Sequence, residues 1–350
     1  MTAPTGTGRR ALRAVAWAAV IASFPIWIAA FAMAPFLPLP AGERAAIAAG
    51  CIAAGEALFW IAGFYLGADV LARFRTPKVT TGRSLRGKRV VVVGATGGLG
   101  EAVARAAWRE GGELLVVGRK EARLTSLARD LGSAAQGERG PVRAVASDLS
   151  AAALREAAER AGPCDLVICA TGLDVRKPLQ AHDDAEVDAC IDVDLCGPIR
   201  LTKAFLPKLR EGGVIALFGG FADGGVALSY YSVDVAARAG LAGFCAAVNR
   251  ELAVEDRSQR LCYVCPAPAD TEAERAYLPL WRELGTRIAS PPEVANFVLQ
   301  AVLAKRPVAV MGAGTRALAR LRGALPWLGH AIVVRFLGKA LRSRFSRAST

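Results

Sequence analysis

The chain has 350 residues, 53% of them hydrophobic, a formal net charge of +13 and a mean hydropathy of +0.32. Such a composition excludes a disordered polar chain, and eight cysteines without a paired framework exclude a small disulfide scaffold. The charge does not point to nucleic acid, because much of it flanks two apolar runs or fills the last 35 residues.

The first apolar run, Ala14–Pro35, carries no charge, and the second, Ala45–Gly67, carries only Glu56. Pro38-Leu39-Pro40-Ala41-Gly42 lies between them as a turn. Each run reaches the roughly 20 residues that a bilayer core requires. Residues 1–75 therefore read as a transmembrane hairpin with spans of about 14–35 and 45–67. The first run exceeds the apolar stretch of a cleaved signal peptide. Arg9, Arg10 and Arg13 precede the hairpin, and Arg73, Arg75, Lys78, Arg83, Arg86, Lys88 and Arg89 follow it. The positive-inside rule then puts both termini and the remaining chain on the cytoplasmic face of the inner membrane, with the lipid bilayer as a partner. Glu56 reads either as a proton or ion site or as a paired structural carboxylate.

Residues 76–87 read as a polar, basic linker and 88–314 as one α/β domain. Strand-like runs are Val90–Val93, Leu114–Val117, Arg143–Ala146, Leu166–Cys169, Val214–Phe218, Leu261–Val264 and Val308–Met311. Helix-like runs between them are Glu101–Glu110, Lys120–Leu131, Ala151–Arg160, Ala185–Leu209, Ser232–Ala253 and Pro291–Ala304. This alternation predicts a Rossmann-type, doubly wound parallel sheet covered on both faces. Cys262 and Cys265 have CxxC spacing but fall in an apolar strand, which makes them small buried hydrophobes rather than metal ligands; no metal site is expected.

The first strand runs into Gly94-Ala95-Thr96-Gly97-Gly98-Leu99-Gly100 and then a helix. This is the context of a phosphate-binding loop. Gly94 permits a tight turn, Gly98 lets backbone approach a pyrophosphate, and Gly100 lets the helix pack close to the strand. The stretch resembles the TGxxxGxG loop of the short-chain dehydrogenase/reductase family, with Val93 in place of threonine. Four further segments fit in order: Gly118-Arg119-Lys120, Asp148-Leu149, Cys169-Ala170-Thr171-Gly172 and Pro266-Ala267 with Thr271. The resemblance covers roughly Gly87 to Gly312. It implies a nicotinamide cofactor touching Gly94, Thr96, Gly97, Gly98, Leu99, Gly100, Asp148, Leu149, Ala170, Thr171, Gly172 and Pro266. Arg119, with Lys120 as helper, favours NADP(H), since a 2′-phosphate suits a guanidinium; NAD(H) stays open. The segments Gly55–Ile61 and Gly67–Arg75 also resemble small bacterial membrane modules called transporter-suffix domains.

The family's catalytic pattern of Asn, Ser, Tyr and Lys fails here. Asp194 stands in the asparagine position and Gly220 in the serine position. One alignment matches Tyr231 to the tyrosine and puts Val235 at the lysine. The gap-free alignment puts Asp234 at the tyrosine and Arg238 at the lysine, and it is preferred because insertions belong in loops. Tyr230 and Tyr231 lie about one helical turn before Asp234. Candidate acid/base groups are thus Tyr231, Tyr230 and Asp234, with Arg238 and Asp194 beside them. Two functions follow: an atypical NADP(H)-dependent oxidoreductase, or a nucleotide-binding scaffold or sensor without turnover. Glu272–Gly285 occupies the family's substrate-lid region, and Tyr277, Leu278, Leu280 and Trp281 suit an apolar or lipid-like carbonyl or alcohol.

Residues 315–350 contain Arg316, Arg320, Arg322, Arg335, Lys339, Arg342, Arg344 and Arg347, and no acid follows Glu293. Alternation with apolar residues predicts a basic amphipathic tail on the membrane surface, split at Pro326. A homo-oligomer is left open.

Overall fold

The computed structural model describes residues 18–19, 21–30, 36–74, 85–133, 141–220, 227–312, 314–316, 318, 330 and 333–345, without the side chains of 60–74, 336 and 339. The chain divides into two compact units, Met1–Thr80 and Thr81–Thr350.

In the first unit, helix α1 runs from Ala41 to Phe74. Trp27 packs on it, with its ring 5.6 Å from that of Phe59. A Cβ on Gly55 would fall 2.4 Å from Trp27 Nε1, so only glycine leaves room for the indole. The expected membrane hairpin, and the inner-membrane location built on it, are not upheld: among the described residues no helix is long and apolar enough to cross a membrane. The physical reason lies in the side chains. Much of α1 is alanine and glycine, which offer little apolar surface, and Glu43, Arg44, Glu56, Asp69 and Arg73 interrupt it. Part of the first run, residues 14–17, 20 and 31–35, lies outside the described residues.

The second unit is built on seven strands: β1 (Arg89–Val93), β2 (Glu113–Gly118), β3 (Val142–Ala146), β4 (Cys164–Cys169), β5 (Leu209–Phe218), β6 (Arg260–Cys265) and β7 (Val308–Val310). They form one sheet in the order β3-β2-β1-β4-β5-β6-β7, with every neighbouring pair parallel. The valines of β1 show why the run is unbroken. Val90 and Val92 pack into one core layer, Val91 and Val93 into the other, so both faces need apolar side chains. Helices α2 (Gly98–Arg109), α3 (Glu121–Ser133) and α9 (Pro291–Leu303) cover the first face. Helices α4 (Ala151–Ala161), α6 (Gly197–Phe205) and α7 (Ser232–Val254) cover the second.

The run Ala185–Leu209 is not one helix. It divides into α5 (Asp184–Ile191), a π-helical turn over Asp192–Cys196, α6, and a 3₁₀ turn ending at Lys208, and Leu209 already belongs to β5. Pro198 has no N–H to return to the preceding turn, and the backbone widens just ahead of it. The widened turn carries Asp194.

Helix α8 (Leu278–Glu283) lies in the lid region, and α10 (Gly338–Phe345) lies near the C-terminus. The described part of the tail does not present its apolar face outward. Val333, Leu341 and Phe345 are buried in a cluster with Tyr231, Leu280 and Trp281. Arg344 donates to the Ala276 carbonyl over 2.9 Å. Packing on the domain's own lid thus replaces the expected membrane-surface face there. The split at Pro326 lies outside the described residues.

Candidate active site

The sheet order reverses between β1 and β4, and a cleft opens beyond the carboxyl ends of these strands, as parallel sheets require. Gly94 ends β1 at φ +83°, and a Cβ there would meet the Ala170 carbonyl at 2.9 Å. A Cβ on Gly100 would lie 2.1 Å from the Gly94 oxygen, so α2 can begin against the strand only with glycine. The residue before α2, Gly97, brings no side-chain cap, and the first-turn N–H groups of α2 carry their positive partial charge to the cleft. Gly97, Gly98, Leu99, Ala170, Thr171, Gly172 and Pro266 all line it. Thr271 closes over the loop, because a Cβ on Gly98 would meet its methyl at 2.8 Å.

Other expected cofactor residues lie beside the cleft. Thr96 faces Gly118 at the end of β2, and Arg119 and Lys120 are exposed just beyond it. Asp148 is exposed and accepts from the Ser150 N–H over 2.8 Å, with hydrogen bonds from Ser150 holding its carboxyl below the usual range. Leu149 turns inward against Gly197. An uncapped helix N-terminus, close-packed glycines and a free-standing guanidinium fit a phosphate-bearing dinucleotide.

The catalytic end is built from charge. Asp234 and Arg238 project from the first turns of α7 and are 1% and 6% exposed. Arg238 donates from Nε to Asp234 over 2.6 Å and from Nη2 to Asp174 over 2.8 Å, and it reaches Asp194 at 3.3 Å. One guanidinium thus serves three carboxylates. It also fills the space beside Gly220, where a Cβ would meet three Arg238 atoms at 3.0–3.1 Å. Asp194 accepts from the Leu173 N–H over 3.0 Å and closes the cluster from behind.

Burial pushes the Asp234 carboxyl up to about 8, with Asp174 and Asp194 adding to the rise and Arg238 opposing it. Asp194 is pushed up to about 6, first by burial and then by Asp174, against Arg238. Asp174 goes the other way: two arginines overcome its burial and hold it low. Asp174 and Asp234 act on each other in opposite directions, lowering the first and raising the second, which favours a proton on Asp234 over one on Asp174.

Tyr231 lines the cleft and is 2% exposed, and its hydroxyl has no hydrogen-bond partner among the described residues. Burial raises that hydroxyl far above the ordinary tyrosine range, which makes it a poor acid. Tyr230, at φ +69°, instead stacks on Phe345 at 5.9 Å and stays out of the cleft. Val235 packs with the aromatic cluster rather than at the cleft.

The comparisons agree with this geometry. Residues 88–279 match the family described as short chain dehydrogenase. The chain belongs to the short-chain dehydrogenase family. An uncharacterized oxidoreductase of Staphylococcus epidermidis is 28% identical over 129 residues, 35% of this chain and 53% of that protein. The chain thus spans about half the length of that relative. The ketoacyl reductase HetN of a Nostoc species is 26% identical over 227 residues, 63% of this chain and 76% of the relative. The L-sorbose reductase of Gluconobacter frateurii, solved with NADPH and L-sorbose, superposes with a TM-score of 0.57 at 21% identity, covering 65% of this chain and 95% of that one. That likeness shows the fold. The match to the short-chain dehydrogenases begins at residue 88 and leaves the resemblance of the N-terminal segment to a membrane module without support.

The cleft of this short-chain dehydrogenase also holds side chains that sequence reasoning did not single out. Asp174 and Arg176 follow β4, and Glu274 lies in the lid. Arg176 pairs with Asp174 and Glu274 at 2.7 Å each and lies 4.0 Å from the Tyr277 ring centroid. Glu274 also accepts from the Trp281 indole. The signal for Asp174 and Arg176 was their place, two and four residues past Gly172 at a strand's carboxyl end. Cys190 joins Asp194 and Asp234 in a group of metal-ligating types. Arg238 already supplies the positive charge there, and burial pushes the Cys190 thiol up to about 12.

Proposed function

We propose that this short-chain dehydrogenase is an NADP(H)-linked oxidoreductase in which Asp234 takes the proton-donor role of the family's tyrosine. The observation that carries the reading is a buried, proton-holding carboxyl in the cleft at that position of α7. The bound cofactor would supply the hydride to a carbonyl carbon, or take it from an alcohol. Gly97, Gly98 and Leu99 would hold its phosphates through the N-terminus of α2, and Arg119 would favour a 2′-phosphate. Asp234 would deliver its proton to the substrate oxygen and regain one through Asp174. Arg238 would stabilise the carboxylate left behind. Trp281, Phe218 and Pro268 line the same cleft and suit an apolar substrate body. The NADPH-bound sorbose reductase, though distant, supports the cofactor reading.

The test follows NADPH oxidation with a panel of aryl and alkyl ketones. Turnover that Asp234→Asn removes, with NADPH binding retained, supports the assignment. Turnover unchanged in Asp234→Asn would reject it. One observation favours the second reading, a nucleotide-binding protein without turnover: Arg238, at the lysine position, is already held by three carboxylates. NADPH binding with no turnover of any ketone or alcohol would select that reading.

A further inference from the structure

The cleft is acid-rich in a basic protein. Among the described residues, Asp174, Asp194, Asp234 and Glu274 face Arg176 and Arg238, four carboxylates against two guanidiniums, while the whole chain carries +13. Asp174, Asp234 and Glu274 line the space that a substrate would enter. An independent observation lies in the same wall: Tyr231 lines the cleft, and its buried hydroxyl finds no hydrogen-bond partner among the described residues. Buried polar groups are normally satisfied, and one left open beside a cleft is matched by a ligand that fills it. Trp281 adds an aromatic wall that attracts a cation, while the Tyr231 ring already has the Arg176 guanidinium over it at 5.2 Å.

We propose that the cleft selects a carbonyl or alcohol substrate bearing a positively charged amine, with the ammonium among Asp174, Asp234 and Glu274 and a polar atom of the ligand on the Tyr231 hydroxyl. This rests on the oxidoreductase reading and names its substrate class. A metal ion would meet Arg238, which lies between Asp194 and Asp234; an ammonium on the lid side, carrying one charge and donating hydrogen bonds, would share the Asp174 and Glu274 carboxylates with Arg176. A cation arriving there takes over the role of the proton on Asp234. The groups facing that carboxyl are Arg238 on its own helix, Tyr231 just ahead of it, Asp174 beyond β4, Asp194 from the widened turn and Cys190 from α5. Binding of an amine near pH 7 therefore releases a proton.

The experiment is calorimetric titration of the full chain with 2-amino-1-phenylethanol and with 1-phenylpropan-1-ol, which replaces the ammonium by a methyl group. NADPH is titrated separately. The amino alcohol is expected to bind at least about 10-fold more tightly and with a heat that depends on the buffer's ionisation enthalpy, the mark of proton release. Tyr231→Phe is expected to weaken the amino alcohol about 5- to 10-fold with no fall in thermal midpoint, since the lost hydroxyl has no partner among the described residues. Equal binding of the two alcohols, or no buffer dependence, overturns the amine proposal. NADPH binding without amine preference overturns this inference alone. Amine preference without NADPH binding overturns the oxidoreductase reading and leaves an amine site.

Discussion

The two ends of the cleft lie on the same sheet and obey different rules. The nucleotide end is made of backbone: a glycine at φ +83°, two more glycines where a Cβ would strike the Gly94 oxygen or the Thr271 methyl, and an uncapped helix N-terminus. The catalytic end is made of side chains, and there the family's hydroxyl, phenol and amine give way to Gly220, Asp234 and Arg238. A phosphate site built from backbone tolerates little change, because each glycine is fixed by a contact of 2–3 Å. A proton-transfer site can exchange its groups as long as one buried group still holds a proton near neutral pH. The difference teaches that cofactor recognition and chemistry in this fold are separable.

The sharpest way to break the comparison is Asp234→Asn. If the catalytic end depends on that single proton, kcat should fall by about 100- to 10,000-fold while NADPH affinity holds. Stopped-flow NADPH oxidation and a separate binding titration read the two effects. A parallel loss of NADPH affinity would mean that the two ends are not separable.

Arg119→Ala addresses the other end. Loss of a charge-assisted phosphate contact should cost about 1.5–3 kcal/mol, roughly 10- to 150-fold in NADPH affinity, with NADH almost unaffected. Fluorescence titration with both nucleotides checks this, and equal weakening of both would move the 2′-phosphate contact elsewhere.

Gly220→Ser sharpens the account of why the family's serine is absent. Its Cβ would press on the Arg238 guanidinium, and overpacking of this kind costs about 1–3 kcal/mol. Arg238→Lys, with a thinner head group, should relieve part of that cost. A double-mutant cycle by chemical denaturation measures the coupling. The same cost in both backgrounds would show that the guanidinium is not what occupies the serine's place.

The fold was legible where residues must satisfy a period or a turn. Val90–Val93 needed apolar groups on both faces and could only be a central strand, and Gly94, Gly98 and Gly100 marked a turn with no room for side chains. The gap-free alignment of α7 rests on the same reasoning, since packed helices do not absorb insertions; Asp234 and Arg238 line the cleft, and so does Tyr231 of the other alignment. The charge network was not legible. Asp174, Arg176 and Glu274 come from segments about 100 residues apart, and only the packed sheet brings them together. The membrane reading failed because length and lack of charge were weighed without the small size of alanine and glycine. An apolar stripe does not say what covers it: in the described part of the tail, Leu341 and Phe345 pack with Trp281 and Tyr231.

The last expected effect is read as a slope of stability against pH, and its sign follows from Asp234. An unfolded aspartate titrates near 3.9, whereas burial pushes the folded group up to about 8. Between those values the folded state binds the proton and the unfolded state does not. Stability therefore falls as pH rises from about 4 to about 8, by at most about 1.4 kcal/mol per pH unit for one proton, and levels off above. Asp194, pushed up to about 6, adds the same sign over a narrower range, and Asp174, held low, opposes it below pH 4. Asp234→Asn removes the largest of these contributions. Urea denaturation at pH 5.5, 6.5, 7.5 and 8.5 should show a downward slope in the unmodified protein and a flatter one in the variant. Matching slopes would mean that Asp234 is ionised in the folded state at neutral pH, and the catalytic end would then lack the proton on which its comparison with the nucleotide end rests.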